Sequence, residues 1–326
     1  MMSQGHNKMG EFALIRWIQQ QAKKGDHLTQ GIGDDCSVQP QQDGQELLTS
    51  TDLLIEDVHF KRAWSSMHDL GRKAAAVNIS DIAAMGGIPQ SLFLSLGRPD
   101  QIPDAEIQEF VSGFIAEAEF YGAVLAGGDS CRSTGPLVIA VTVQGTIAAG
   151  EAVYRHGASY GDAVYVSGCL GDSALALQAL LRGEQPDPYL AGRFHTPSPR
   201  VDLGVNLARS GWATAMLDIS DGLIADLGHI LEASGVGAEI ELARLPLSGP
   251  FSQALLQDTE LIELALAGGE DYELVFTSPL NDLDTRPGFS PFVTRIGVIR
   301  QEPGLSLRAV DGSFYECRRK GYDHFG

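Results

Sequence analysis

Residues 73 to 85 read Lys-Ala-Ala-Ala-Val-Asn-Ile-Ser-Asp-Ile-Ala-Ala-Met, and this run limits the fold more than any other. Small apolar side chains in such density predict a helix over about Leu70 to Met85. Gly86-Gly87 stops it, and Pro89 just beyond prevents its resumption. Asn78 and Asp81 lie three residues apart, on one face. A carboxylate among so many alanines is enclosed, and an enclosed carboxylate needs a cation or hydrogen-bond donors. Asp81 is therefore a candidate metal ligand.

The chain around this helix alternates in the manner of an α/β (mixed α+β) protein. A helix is predicted over Glu11 to Lys24, with Phe12, Ile15 and Ile18 on one face and Gly25 as its stop. Strands follow at 46–51, 91–96 and 137–143, with a helix at 104–121 and a Gly-Gly-Asp turn at 127–129. The uncharged stretch Ser133 to Gly150 alternates as a buried strand does and is too interrupted for a membrane helix. This unit ends near Gly150. A second begins near Ala152, with strands at 163–167, 214–219, 238–242, 272–277 and 293–299. Its helices are predicted at 173–181, 200–210 and 221–233, with a Pro/Gly-rich loop at 183–199 and a hairpin turn at Asp311-Gly312. At ~150 residues per domain, 326 residues give two domains, 1–150 and 151–326.

The chain carries a formal charge of −19, which opposes binding to nucleic acid or to an anionic membrane. No secretory signal precedes Glu11, and the four cysteines are far apart with no CxxC pair, so the reading is a reduced, cytoplasmic protein without a zinc site. The 38 glycines exceed the usual ~7% and recur beside acids. Six segments join a carboxylate to Gly, Ser or Thr: Gly33-Asp34-Asp35, Ser50-Thr51-Asp52, Asn78 to Asp81, Gly127-Gly128-Asp129, Asp218 to Gly222, and Gly268-Gly269-Glu270-Asp271. All but the third are expected at strand ends or helix starts, where loops converge on one cleft. Such oxygen donors suit Mg²⁺ or Ca²⁺, and the absence of an EF-hand loop disfavours a calcium buffer. Each segment also suits an ordinary turn, with Ser220 as a helix cap and Asp221 as a first-turn acid. Walker, dinucleotide and protein-kinase signatures are missing. The Gly168-x-x-Gly171-Asp172-Ser173 turn offers a helix N-terminus to an anion, or a plain strand-to-helix connection.

Taken together, eight motifs resemble the thiamine-monophosphate kinase family of the aminoimidazole-ribonucleotide synthetase superfamily. They are GIGDDC at 31–36, STD at 50–52, VHF at 58–60, AVNISDIAAMG at 76–86, GGD at 127–129, DISDGL at 218–223, GGEDYEL at 268–274 and KGYDHF at 320–325. The resemblance covers almost the whole chain in order. It implies a two-domain fold, a homodimer formed through the N-terminal domains, and transfer of the γ-phosphoryl of ATP to thiamine monophosphate with several Mg²⁺ ions. It places Asp35, Ser50, Thr51, Asp52, Asp81, Asp129, Asp218 and Asp221 around the metal. Gly128, Asp129, Arg155 and Ser220 fall on the ATP, and His59 and Glu270 on the thiamine side. Relatives can carry an aromatic residue before the Lys-Gly-Tyr segment, where this chain has Arg319.

Such a reaction needs no strong base, because the accepting phosphate oxygen is already largely ionised, and no catalytic base is assigned. Selenophosphate synthetases and a hydrogenase-maturation protein of the same superfamily depend on a reactive cysteine. Here the earliest cysteine, Cys36, sits behind the acidic turn, and the sequence ends His324-Phe325-Gly326. A sensor that binds ATP and Mg²⁺ without turnover shares all these motifs and stays open at this point.

Overall fold

The computed structural model describes residues 11–21 and 28–319. Its first part runs α1 (Glu11–Gln21), β1 (Ser37–Pro40), β2 (Gln45–Ile55), α2 (Met67–Ala84), β3 (Ile88–Pro99), α3 (Asp104–Phe120), β4 (Val124–Ser133) and β5 (Val138–Ala148). These strands form a five-stranded sheet in the order β1-β2-β5-β3-β4, in which only the β3–β4 pair is parallel. Side chains on β5 alternate as its sequence predicts: Ile139, Val141, Val143 and Ile147 are buried and their neighbours less so.

The second part runs β6 (Ala163–Ser167), α4 (Asp172–Leu181), α5 (Pro188–His195), α6 (Val201–Ser210), β7 (Ala215–Asp218), α7 (Leu223–Ser234), β8 (Gly237–Glu241), α8 (Gly249–Gln257), α9 (Ile262–Ala267), β9 (Leu274–Ser278), β10 (Val293–Arg300), β11 (Gly304–Arg308) and β12 (Phe314–Tyr315). Its strands form a seven-stranded sheet in the order β12-β11-β8-β10-β6-β9-β7. Asp311-Gly312 turns β11 back on β12 as expected. Among the described residues no helix is long and apolar enough to cross a membrane.

Helix α2 joins the two parts. Ser66 caps it by accepting the N–H of Asp69 at 3.0 Å. Below the cap, nearly every residue is buried, against β2, β3, β5 and α3 on one side and β7, α5 and α6 on the other. Its neighbours come unusually close. A Cβ on Gly71 would sit 1.9 Å from the Phe110 carbonyl oxygen, and one on Gly113 of α3 would sit 1.9 Å from that of His68. Gly204 of α6 similarly abuts the Ala83 carbonyl. The alanines of α2 and these facing glycines let helix backbones touch, which larger side chains would forbid.

Two local expectations fail. Gly127-Gly128-Asp129 is not a turn but the middle of β4, held to β3 through pairs such as Ser95 with Asp129. The segment 183–199 is not wholly loop, because Asp187 caps α5 by accepting the Tyr189 N–H, with Pro188 at the first helical position. Leu190 and Phe194 are its buried anchors. Helix α1 exists, yet Ile15 and Ile18 on its apolar face are exposed. Its predicted end at Lys24-Gly25 and the KGYDHF segment lie outside the described residues.

The crossing of α2 with α3 leaves no room for a methyl group. Gly71→Ala or Gly113→Ala should destabilise the chain by about 2–4 kcal/mol in urea unfolding. Gly228→Ala on α7 meets open space and should be neutral or stabilising by up to ~1 kcal/mol.

Candidate active site

The period of two along β2 decides which of its polar residues face α2. Leu48, Ser50, Asp52 and Leu54 share one face. Ser50 donates to Asp81 Oδ2 at 2.5 Å. Thr51 points to the opposite face, is exposed, and donates to the Val141 carbonyl at 2.9 Å. On α2, Ser80 is turned about 100° from Asp81 and donates to Asp218 Oδ2 at the end of β7, at 2.6 Å. Two consecutive residues of one helix thus connect carboxylates and hydroxyls from both sheets.

Asp52, Asp81, Asp218 and Asp221 line one cavity of about 1050 Å³. Ser220, His59, Glu270 and Arg319 line it too, together with the aromatic residues Phe60, Trp64, Phe194 and Tyr272. His59 Nδ1 accepts the Ile55 N–H at 3.0 Å, which assigns the ring proton to Nε2. Glu270 sits at φ 68 in a loop pinned to the β7–α7 connection: its N–H donates to the Ser220 carbonyl, and that of Tyr272 donates to Ile219, both at 2.8 Å. A left-handed non-glycine residue in such a loop is sparsely populated backbone, kept there by these bonds.

The remaining expected residues lie elsewhere. Arg155 bonds Asp35 Oδ1 at 2.7 Å, and its backbone N–H donates to Asp34 at 3.2 Å, so the acidic turn is fastened to the second part of the chain. Asp129 is exposed on the edge strand β4. The register runs from Asp52 to Val141, Leu94 and then Gly128, so Gly128 lies three strand spacings away, roughly 14 Å across the sheet. Gly128 and Asp129 therefore do not join Asp52 within one chain. Their segment and Ser50-Thr51-Asp52 both lie mid-strand rather than at strand ends. The expected anion seat on α4 is filled from within, because the Asp271 carboxylate accepts the Gly171 N–H at 2.8 Å. Ser220 and Asp221 do not cap α7, which starts at Leu223 behind Gly222. Asp226 instead reaches back to accept the N–H groups of Asp221 and Gly222. That device was readable as an acid placed in the first helical turn.

Burial pushes the Asp81 carboxyl well above its ordinary range, reinforced by the charges of Asp52, Asp218 and Asp35. Burial likewise raises Asp35, against the pull of Arg155, and lifts Asp218 to about 6. Asp35 Oδ2 is buried without a hydrogen-bond partner. Repelling, desolvated oxygens with an orphaned donor site are what hard divalent cations relieve. Among the described residues no three His, Cys, Asp or Glu side chains form a ready chelate. The donor set therefore fits Mg²⁺ shared with ligand phosphates and water better than a closed all-protein cage.

This architecture and cleft define a class. The family model of the AIR synthase related protein N-terminal domain matches residues 33–147, and that of the C-terminal domain matches 159–308. The chain is 41% identical to the thiamine-monophosphate kinase of Haemophilus influenzae, over 97% of this chain and 98% of that one. It is 36% identical to that of Bacillus subtilis, over 97% and 100%. The solved structure of AaThiL complexed with AMPPCP and TMP superposes with a TM-score of 0.85, at 35% identity and 97% coverage of each chain. The chain belongs to the thiamine-monophosphate kinase family, with two AIR-synthase-like domains of mixed α/β structure.

The carboxylate cluster couples stability to pH. Asp218 ionises near 3.8 when unfolded but at about 6 when folded. Its contribution is complete below the lower value and is lost as pH rises through the upper one. Without divalent ions, the Tm measured by calorimetry should be higher at pH 5 than at pH 7.5. Millimolar MgCl₂ should raise Tm at pH 7.5 and barely change it at pH 5, and Asp218→Asn should flatten the pH dependence.

Proposed function

We propose that the acidic cleft is the phosphoryl-transfer site for the family's reaction, ATP and thiamine monophosphate giving ADP and thiamine diphosphate. The observation that carries this reading is the convergence of Asp52 from the first sheet, Asp218 from the second and Asp81 from α2 on one cavity that aromatic residues also line. An oxygen of the acceptor phosphate forms a bond to the γ-phosphorus while the bond to the β–γ bridging oxygen breaks. ADP leaves with that electron pair, and no proton need be removed first. Two polyanions must meet, so catalysis here is positioning and charge neutralisation.

Asp35, Ser50, Asp52, Asp81, Asp218 and Asp221 are the residues that would hold Mg²⁺. When bound, Mg²⁺ supplies the positive charge that lets the phosphates approach this wall. Ser220 lies on the nucleotide side, and Arg155 reaches ATP phosphates from its position on Asp35. His59 and Glu270 face the thiamine ring. The two domains divide near residue 150, and the protein works in the cytoplasm.

A homodimer joined through the first sheet accounts for Thr51, Gly128 and Asp129. Leu53, Phe93 and Val124 leave apolar surface exposed on that sheet, and edge strand β4 presents unpaired backbone. A second copy packed there completes each cleft with its own Gly128 and Asp129.

Purified protein should release ADP only when Mg²⁺ and thiamine monophosphate are both present, with unphosphorylated thiamine a poor acceptor. Tight ATP binding without that turnover would identify a sensor instead. Asp52→Asn should lower kcat about 100-fold or more with an unchanged circular dichroism spectrum. Asp129→Asn should do the same. Mixing the two inactive variants should restore about a quarter of wild-type activity if each cleft takes Asp52 from one chain and Asp129 from the other. No recovery on mixing would place both residues in one chain's site.

A further inference from the structure

Lys73 is 3% exposed in the middle of the alanine run. Enclosing an ammonium carries a desolvation cost that an apolar residue would not incur. Its Nζ lies 3.0 Å from Glu270 Oε1 and 4.0 Å from the centroid of the Phe194 ring. Nζ has no partner in good hydrogen-bond geometry, so charge and ring face are what hold it. Lys73 belongs to α2, Phe194 to α5, and Glu270 to the loop before β9. Both partners line the cavity and Lys73 does not. The ammonium therefore stands behind the wall and touches its two ring-recognising components from the rear.

The geometry points to Lys73 as a positioning residue for the acceptor: it fixes the Glu270 carboxylate and the Phe194 ring as one surface that recognises a cationic heteroaromatic ring. This rests on the reading of the cleft given above. A carboxylate beside an aromatic face is a recognition pair for a delocalised cation, and a thiazolium is one. Glu270 alone is poorly suited to that task, since it sits on a left-handed residue of a loop. The Lys73 contact supplies the side-chain orientation that the backbone bonds to Ser220 do not. Lys73 also sits two turns before Asp81 on the same helix, so one rigid element sets both the metal-side wall and the ring-side wall.

Steady-state kinetics of the full chain with ATP, Mg²⁺ and thiamine monophosphate test this. Lys73→Met keeps the bulk and removes the charge. It should raise KM for thiamine monophosphate about tenfold while kcat and KM for ATP change less than about twofold. In a Glu270→Gln background, which has its own raised KM, adding Lys73→Met should produce no further rise. An unchanged KM for the acceptor in Lys73→Met overturns the proposal, and so does an equal rise in the Glu270→Gln background. A merely structural lysine would lower Tm without selecting one substrate's KM. If Lys73→Met does not fold, Phe194→Leu removes the ring support alone. It should raise the acceptor KM, and a wild-type KM there overturns the proposal. A wild-type chain that fails to turn over thiamine monophosphate removes the cleft reading itself, and this inference with it.

Discussion

Everything in this chain is arranged around how closely other backbones approach α2. Gly71 on α2, Gly113 on α3 and Gly204 on α6 give up their side chains so that α2 and its two neighbours can lie against one another's carbonyls. Burial on every side then makes each polar residue of α2 costly, and three that are present serve the cavity. Ser80 reaches Asp218, Asp81 receives Ser50, and Lys73 meets Glu270. Each contact crosses from α2 to a different element, and two of them reach the second part of the chain. A helix packed by small residues is rigid in position and specific in direction, and both properties are needed where charges must be held apart.

The acidic wall carries the opposite stress. Burial raises the carboxyls of Asp35, Asp81 and Asp218, and neighbouring acids add to it, Asp52 on both Asp81 and Asp218, so a cation bound there would relieve the stress. A uniform charge of −19 says little about this, because most of those acids are solvated. What matters is that a few are desolvated together. An acidic protein can then attract polyanionic ligands, since ions collected at the wall reverse the local sign. Arg155 shows the same economy on a small scale, neutralising Asp34 and Asp35 from across the inter-sheet connection.

Much of this was legible before folding was considered, where the signal was local. The alanine run announced α2, on which Asp81 is half-buried at the cavity rather than enclosed, and the alternation from Val138 to Ile147 announced β5. Asp129 reads as part of a turn because acid-plus-glycine resembles one, whereas β4 is set by pairing with β3, a partner far away in sequence. Thr51 faces away from Asp52 by strand period, which becomes decisive only once β2 is known to continue through it. α5 was hidden by the Pro/Gly content of its surroundings, although Asp187-Pro188 is a helix start. Lys73 carries no local signal of burial, because that burial depends on α5 and the Glu270 loop, more than a hundred residues away.

Arg319 shows how composition at one position can mislead about the surface of a site. The residue lines the cavity, leans toward Glu263 at 3.7 Å, and is half exposed. An arginine there supplies no aromatic face, yet the cavity does not lack one. Phe60, Trp64, Phe194 and Tyr272 all border it, and Trp64 meets Phe194 edge to face at 6.3 Å between ring centroids. Lys61 over Trp64 and Lys73 over Phe194 occupy ring faces with the chain's own cations. Each such cation covers one face of its ring, so the surface open to a thiazolium would be the opposite face, or the rings of Phe60 and Tyr272. For the proposed function, the cavity therefore offers aromatic surface without drawing on position 319.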